Sequence, residues 1–587
     1  MAILDTETRE IETDLLIIGG GAAGLWAAIR ARDFCPRVLV VDKGKVARSG
    51  ASVHTHCVLA PVTEDKIHEA LEEIVVEGGY MANQRWAERT LREQADRIRE
   101  MASWGAPFRK DASGALYTAK DRKQVVNNSV YLLGSDMMDT MKAHARSKGV
   151  DFMERVAVAE LLTSDGQLPT RGSVVGAVGF HTRTGEFYVF KAKAVIVCTS
   201  LMSAELYNAA VNNLTGDGHA MAFRAGARLS GMEFGQIPNF PIVNRKVSTG
   251  HPAVFQLYGA KLVNNLGEEF VEKYYPGKTL QLLSRAEISY AVAKEALEGR
   301  GPIYFDMRHW SDELINEWRR VLPSMMKRMD EAGIDMRRDR LETMPRVGSW
   351  GGAAQSGIRI DENAESSIPG LFAAGVAAHV PVNIIDMTGV SQAVCYASGY
   401  RAGEVASQRA AGGSQVKPLA DQVNRLRAKV FAPLRRESGI DFQQIYLSVG
   451  KVTVPAELSF FKHEKRIKGT LAELGRIQQE EVPRLKARDV HDLVNCLGSQ
   501  NLPLLSEALY RCALARLESR FSHYREEFPY RDDINWLKWS IAENSGKGMK
   551  VSFESVPIET YPIKPAQRTR VPAPVQFTFK ETVKAAV

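Results

Sequence analysis

Hydrophobic and polar positions fall into a clear order near the start of the chain. Residues 15–18 (LLII) are an unbroken apolar run of buried-strand type, and they break into Gly19, Gly20 and Gly21, with Gly24 three residues on. Residues 22–31 carry small and apolar side chains at helical spacing, and residues 38–41 (VLVV) predict a second buried strand ending in Asp42. Strand, glycine turn, helix and strand make a βαβ unit. Gly19 permits the tight turn, Gly21 lets the main chain approach a pyrophosphate, and Gly24 lets helix and strand pack closely. The N-terminus of that helix offers unpaired N–H groups and a positive dipole end to an anion. Asp42, eighteen residues after Gly24, stands where an acidic side chain accepts hydrogen bonds from a ribose.

Beyond Asp42 a Gly- and Ser-bearing loop with His54 and His56 leads into a long helical region, about 66–99, with Glu and Arg at i, i+4 spacing. Residues 101–135 read as aromatic-bearing loops and 132–148 as a helix. From 151 the pattern turns to strands, and the turn Arg183-Thr184-Gly185 predicts a hairpin returning to a buried strand at 194–198. A glycine turn and small-residue helix follow at 215–234. Residues 236–344 change character, with more aromatics and prolines and with helices near 286–298 and 311–331, as expected of an insertion. A strand into a glycine turn at 368–375 and a small-residue helix at 386–401 resume the earlier pattern. A linker at 409–415 precedes a mostly helical region.

Composition narrows the class rather than defining it. The 587 residues, 45% hydrophobic and 25% charged, suit roughly two to four globular domains. A net charge of +7 with no arginine-rich, aromatic-interleaved run gives no support for nucleic-acid binding. Six scattered cysteines without C-x-x-C spacing argue against disulfides, structural zinc and an in-chain iron–sulfur cluster, so no metal site is expected. No apolar run reaches the roughly 20 residues of a membrane span, and the N-terminus lacks a signal-peptide core. A cytoplasmic, reducing environment is the expectation.

In its ordered motifs the chain resembles the flavoprotein subunits of the fumarate reductase and succinate dehydrogenase superfamily, which includes L-aspartate oxidase and the adenylylsulfate reductase α subunit. The motifs are IIGGGAAGLWAA with VVDKG, RSG at 48–50, TGDGHAMAFRAGA, MEF at 232–234, LVNNLGEEFVEKY, SRAEIS, GRGPIYFDM, IPGLFAAG and the C-terminal LESRFSHYREEFPYRDDINWLKW. The resemblance implies an α/β fold: a Rossmann-like FAD-binding domain (1–235 and 345–408), an inserted α+β capping domain (236–344), a C-terminal helical domain (418–545) and an extended tail (546–587). It implies FAD bound by Gly19, Gly21, Ala22, Ala23, Gly24, Asp42, Lys43, Arg48, Ser49, Gly50, Thr199, Asp217, Gly375 and Ser391. The helix beginning near Gly389 would direct its dipole at the flavin ring.

Departures from the superfamily pattern bear on the substrate. Where C4-dicarboxylate enzymes have F-H-P-T-G, this chain has Ile237-Pro238-Asn239-Phe240-Pro241. Trp350-Gly351-Gly352-Ala353-Ala354-Gln355 replaces H-Y-T-M-G-G, and Ile385-Asp386-Met387-Thr388-Gly389-Val390-Ser391 replaces N-R-L-G-G-N-S. Two histidines and an arginine that would clasp carboxylates are thereby missing, which disfavours fumarate and succinate. Arg48-Ser49-Gly50-Ala51 replaces R-S-H-T, so no covalent flavin link forms there, and Val376 replaces the usual acid after A-A-G. These features look more like the adenylylsulfate reductase α branch.

Arg285 matches the proton-donating arginine of fumarate reductases; as a helix-start residue it could equally pair with Glu287. His54 and His56 are acid–base or substrate candidates or ordinary loop histidines. Trp104, Tyr258, Trp350 and His379 are candidate substrate contacts, against ordinary core packing. Three readings stand: an FAD oxidoreductase with a small non-dicarboxylate substrate at the flavin/capping-domain interface; a flavoprotein subunit passing electrons to an iron–sulfur partner, with fumarate reductase or succinate dehydrogenase activity as a variant; and a binding-only flavoprotein. A homo-oligomer is compatible with each.

Overall fold

The computed structural model describes residues 8–120, 128–202, 213–239, 242–243, 248–249, 255–256, 258–321, 323–350, 355–382 and 389–573. Its centre is the expected βαβ unit. Strand β1 (Thr8–Ile18) is half exposed over its first residues and fully buried where LLII begins. Helix α1 (Ala22–Ala31) and strand β2 (Val38–Asp42) complete the unit, with Leu15 opposite Val38 in parallel register.

Helix α2 (Ile67–Glu77) and helix α3 (Gln84–Ser103) occupy the stretch expected to be one helix. Gly78 and Gly79, the latter at φ +50°, interrupt it, and the Asn83 side chain caps α3 by accepting from Trp86 N. Strands β3 (Cys57–Leu59), β4 (Thr118–Lys120) and β5 (Asn128–Tyr131) form a small antiparallel sheet beside helix α4 (Gly134–Ser147).

The main sheet runs β6-β2-β1-β9-β8-β7, with β6 (Asp151–Glu154), β7 (Val156–Thr163), β8 (Val174–His181) and β9 (Phe187–Val197). β8 and β9 flank the expected hairpin turn, and β9 pairs parallel with β1, Leu15 opposite Ala194. Strand Leu371–Ala373 joins the sheet on β9, so the chain re-enters this layer after the inserted region. The following helix, Val390–Gly412, lies across α1 at a distance only glycine allows: a Cβ on Gly399 would stand 2.4 Å from Ala23 O, and one on Gly403 2.2 Å from Ala27 O.

The inserted region has its own antiparallel sheet: Ser248–Thr249, Ile242–Val243, Leu341–Thr343, Ile303–Asp306 and Lys261–Val263. Helices Arg285–Leu297, Asp312–Val321 and Pro323–Glu331 accompany it. Helices between Ala420 and Ala515 form the C-terminal helical region. Past it, strands Lys538–Asn544 and Met549–Ser555 form a hairpin that joins Leu229–Ser230 in a second sheet, so paired strands straddle the boundary expected at 545/546. Lys538–Asn544 is buried continuously from Trp539 to Ala542 rather than alternating, so it carries no period-two signal that would mark it as a strand. All six cysteines are buried, and none forms a disulfide. Among the described residues, no helix is long and apolar enough to cross a membrane.

Candidate FAD site

A cleft opens at the C-terminal ends of β1 and β2, enclosing about 670 Å³ including its mouth. Its floor is Ile18, Gly19, Gly20 and Gly21; Asp42, Lys43, Ser49, Gly50, Thr199 and Asp217 line its sides. Glycine is required in the floor. Gly19 sits at φ +109°, and a Cβ there would lie 2.4 Å from Cys198 O; a Cβ on Gly24 would lie 2.0 Å from Gly19 O. At Gly21 the space that a Cβ would take is open, with Ser52 Oγ at 3.7 Å. Gly21 caps α1 in extended backbone with no side chain of its own, so the first turn of the helix presents its main chain to an anion.

Asp42 holds the cleft together from below. Its carboxylate accepts from Gly20 N at 2.8 Å, Gly44 N at 2.7 Å and Ser49 Oγ at 3.1 Å. The expected ribose acceptor thus also ties the glycine turn to the loop after β2. Lys43 donates to Asp217 Oδ2 and Thr215 Oγ1, both at 2.8 Å. Burial alone would raise the Asp217 pKa, but the Lys43 charge and its hydrogen bonds outweigh that and keep the carboxylate ionised. Thr199 Oγ1 accepts from Gly218 N at 3.2 Å.

Ala22 N donates to Ser52 Oγ at 3.2 Å, which adds Ser52 to the expected set. Val156 and Val158, alternate residues of β7, also line the cleft with Leu214 and Met221. Their apolar character is visible in the sequence, but the pairing that brings β7 to this end of the sheet is not. Of the other expected contacts, Arg48 turns away to pair with Asp139. Gly375 touches α1, its missing Cβ lying 2.7 Å from Ala23 Cβ, and its N–H donates to Ser398 Oγ. Ser391 is half-buried in the first turn of helix Val390–Gly412.

The catalytic and substrate candidates separate. His54 ends a short turn of helix, Ser52–His54, next to the cleft; its side chain is exposed, and partial desolvation followed by the nearby Arg328 charge lowers its pKa from the ordinary imidazole value. His56 lies with its ring centroid 6.5 Å from that of Tyr131. Arg285 is the first residue of helix Arg285–Leu297, behind a capping box in which Glu287 accepts from Ser284 N and Lys278. Trp104 lies apart from the cleft, stacked on His144 at 4.0 Å and 5.1 Å from Trp26. His379 is also withdrawn: it is 2% exposed, edge-on to Trp539, and burial drives its pKa far down. Aromatic packing therefore accounts for both. Tyr258 packs on Trp318 of the inserted region. Trp350 ends the strand Arg346–Trp350, opposite Gln236. Gly351 to Ala354, and Asp386 at the expected arginine position, lie outside the described residues.

A mixed sheet whose parallel strands bring a glycine turn, a helix N-terminus and an acidic strand end to one cleft defines a dinucleotide-binding flavoprotein. The FAD binding domain model matches residues 14–389, and the fumarate reductase flavoprotein C-terminal model matches 451–570. The chain belongs to this family, the fumarate reductase and succinate dehydrogenase flavoproteins, and is an FAD-dependent oxidoreductase. It is 28% identical over 543 residues to a fumarate reductase (CoM/CoB) subunit of Methanothermobacter marburgensis, covering 89% of this chain and 96% of that one. It is 25% identical over 583 residues to L-aspartate oxidase of Streptomyces coelicolor, covering 96% and 97%. Its fold is similar to that of Escherichia coli quinol fumarate reductase, with TM-score 0.81 and 22% identity over 94% of this chain and 98% of that one. It is similar also to adenylylsulfate reductase of Archaeoglobus fulgidus, with TM-score 0.75 and 20% identity over 98% of each.

Proposed function

We propose that the chain binds FAD noncovalently and acts on a small substrate other than a C4 dicarboxylate, between the flavin and the inserted region. The observation that carries this reading is the residue set at the three carboxylate-clasping positions: Pro238, Trp350 and Asp386. A buried carboxylate facing none of the usual histidines and arginine would cost several kcal/mol, and an aspartate there adds repulsion. Gly50 in place of a histidine leaves no ligand for a covalent flavin link at that position.

FAD, when bound, supplies the two-electron redox chemistry. The chain would hold its pyrophosphate on Gly19–Gly21 and the first amides of α1, with Asp42 and Ser52 fixing that turn. The His54 imidazole, its pKa lowered, can accept a proton at a ring nitrogen, and Arg285 is the candidate for delivering a proton or binding an anionic group; His56, Tyr258 and Trp350 remain candidates for contact with the substrate. The missing dicarboxylate set favours the adenylylsulfate reductase side of the family, and a cytoplasmic site of action goes with this reading. A second reading, an electron-transfer subunit with an iron–sulfur partner, is favoured by the likeness to a protein that is itself one subunit of a fumarate reductase.

The test is anaerobic. The purified holoprotein is reduced with dithionite and mixed with fumarate. Flavin absorbance should stay bleached at the rate of a blank. Prompt reoxidation with one fumarate per flavin overturns the dicarboxylate exclusion.

A further inference from the structure

The helix Val490–Ala515 lies behind the FAD cleft, and its first half presses on the turn that carries Asp217. A Cβ on Gly498 would stand 2.7 Å from Thr215 Cγ2, and one on Gly216 would stand 2.4 Å from Leu505 Cδ1. Between these contacts sits Asn501, 3% exposed. Both ends of its amide are used. Nδ2 donates to Asp217 Oδ1 at 3.0 Å, and Oδ1 accepts from Arg224 Nη1 at 3.0 Å. The orientation is fixed by chemistry, because a guanidinium only donates and an ionised carboxylate only accepts. Arg224 continues the chain through Nε to Glu160 Oε2 at 2.6 Å. On the cleft side, Asp217 takes Lys43 at 2.8 Å and Thr215 Oγ1 at 2.8 Å.

We propose that Asn501, contributed by the C-terminal helical region, is a positioning residue for the FAD cleft: it holds the Asp217 carboxylate toward Lys43 and keeps it from Arg224. Asp217 lies between two cations, one lining the cleft and one behind it. Direct pairing with Arg224 would rotate the carboxylate out of the wall that FAD meets. A neutral amide between them satisfies both groups and leaves Asp217 facing the cleft before the cofactor arrives, so less ordering remains to be done on binding. The inference rests on the cleft and is independent of which substrate the flavin serves.

The experiment titrates the full chain, stripped of flavin, with FAD and follows quenching of flavin fluorescence at pH 8. Wild type is compared with Asn501→Ala and Asn501→Asp, and circular dichroism and thermal midpoints verify folding. Asn501→Asp is the decisive variant. It preserves shape and strengthens the contact to Arg224, but replaces the donor facing Asp217 with an acceptor. We expect Kd for FAD to rise about fivefold in Asn501→Ala and at least tenfold in Asn501→Asp. The latter deficit should shrink at pH 6, where one of two facing carboxylates takes up a proton and can donate. Of the other groups around Asp217, Lys43 and Arg224 are the two cations already described, Tyr446 stays neutral, and burial holds His219 down near 4, so neither Tyr446 nor His219 mimics the effect. Asn501→Asp binding FAD within twofold of wild type at pH 8, in a folded protein, would overturn the inference. So would loss of thermal stability in Asn501→Ala with Kd unchanged, which is what a purely structural role predicts.

Discussion

Two polar regions of the molecule solve opposite problems. The FAD cleft is lined mainly by main chain and small side chains, and two of its charges, Lys43 and Asp217, keep about a quarter and a fifth of their surface in solvent. Below the start of the inserted region lies a cluster almost wholly shut off from solvent. Arg516 donates to Glu233 Oε1 at 2.7 Å and to Glu518 Oε1 at 2.9 Å, and Arg520 bridges Glu518 and Asp533. Ser540 and Asp532 N take up the remaining carboxylate oxygens of Glu233 and Glu518. The first region must leave groups unsatisfied for a ligand; the second must leave none. In the second, burial alone would lower the Arg516 pKa, and the Glu233 and Glu518 charges reverse that. Nearby Lys462 has no carboxylate on its amine, and burial with the Arg525 charge brings its pKa down to about 7.

The contrast is sharpest when each region loses one group. Glu233→Ala leaves a fully buried guanidinium short of a partner and should cost about 3–5 kcal/mol, read by urea denaturation of the holoprotein. A loss below about 1 kcal/mol would mean that the cluster is not buried as described. Gly24→Val places side-chain carbon against Gly19 O and distorts the pyrophosphate turn. It should lower FAD affinity at least 100-fold, or about 2.7 kcal/mol, as measured by fluorescence titration. FAD bound normally by this variant would rule out the cleft as the cofactor site.

Glu295 is an intermediate case, a buried carboxylate whose cations reach solvent. Burial alone would raise its pKa, but hydrogen bonds from Arg300, Asn264, Tyr274 and Lys273 hold it at about 2. A carboxylate depressed on folding stabilises the fold above its ordinary value near 4.5, and that stability is lost as the pH falls from there toward 2. Glu295→Gln should cost about 2 kcal/mol at pH 7 and progressively less below pH 4.5, by denaturation across pH. An equal loss at pH 7 and pH 3 would contradict the pairing.

The same contrast decides what was legible in the sequence. The cleft is written in one local stretch: strand, Gly19–Gly24, helix and Asp42 are contiguous, so sterics and spacing suffice to read it. The buried cluster joins Glu233 to Arg516, 283 residues apart, and nothing local in MEF or LESRF announces the pairing. Trp104 and His379 were ambiguous for a related reason, since an aromatic or imidazole suits a pocket and a core equally until its neighbours are known. The break between α2 and α3 was available in Gly78-Gly79 and the cap Asn83, but the charge periodicity ran across it. Asn501 carried no signal at all, because its role follows from where its helix lies.

The most direct test of the FAD cleft and its noncovalent cofactor is acid precipitation of the purified holoprotein. A colourless pellet and a yellow supernatant holding one FAD per chain are the expected result. Flavin that stays with the pellet, or a chain that takes up no flavin, would contradict it.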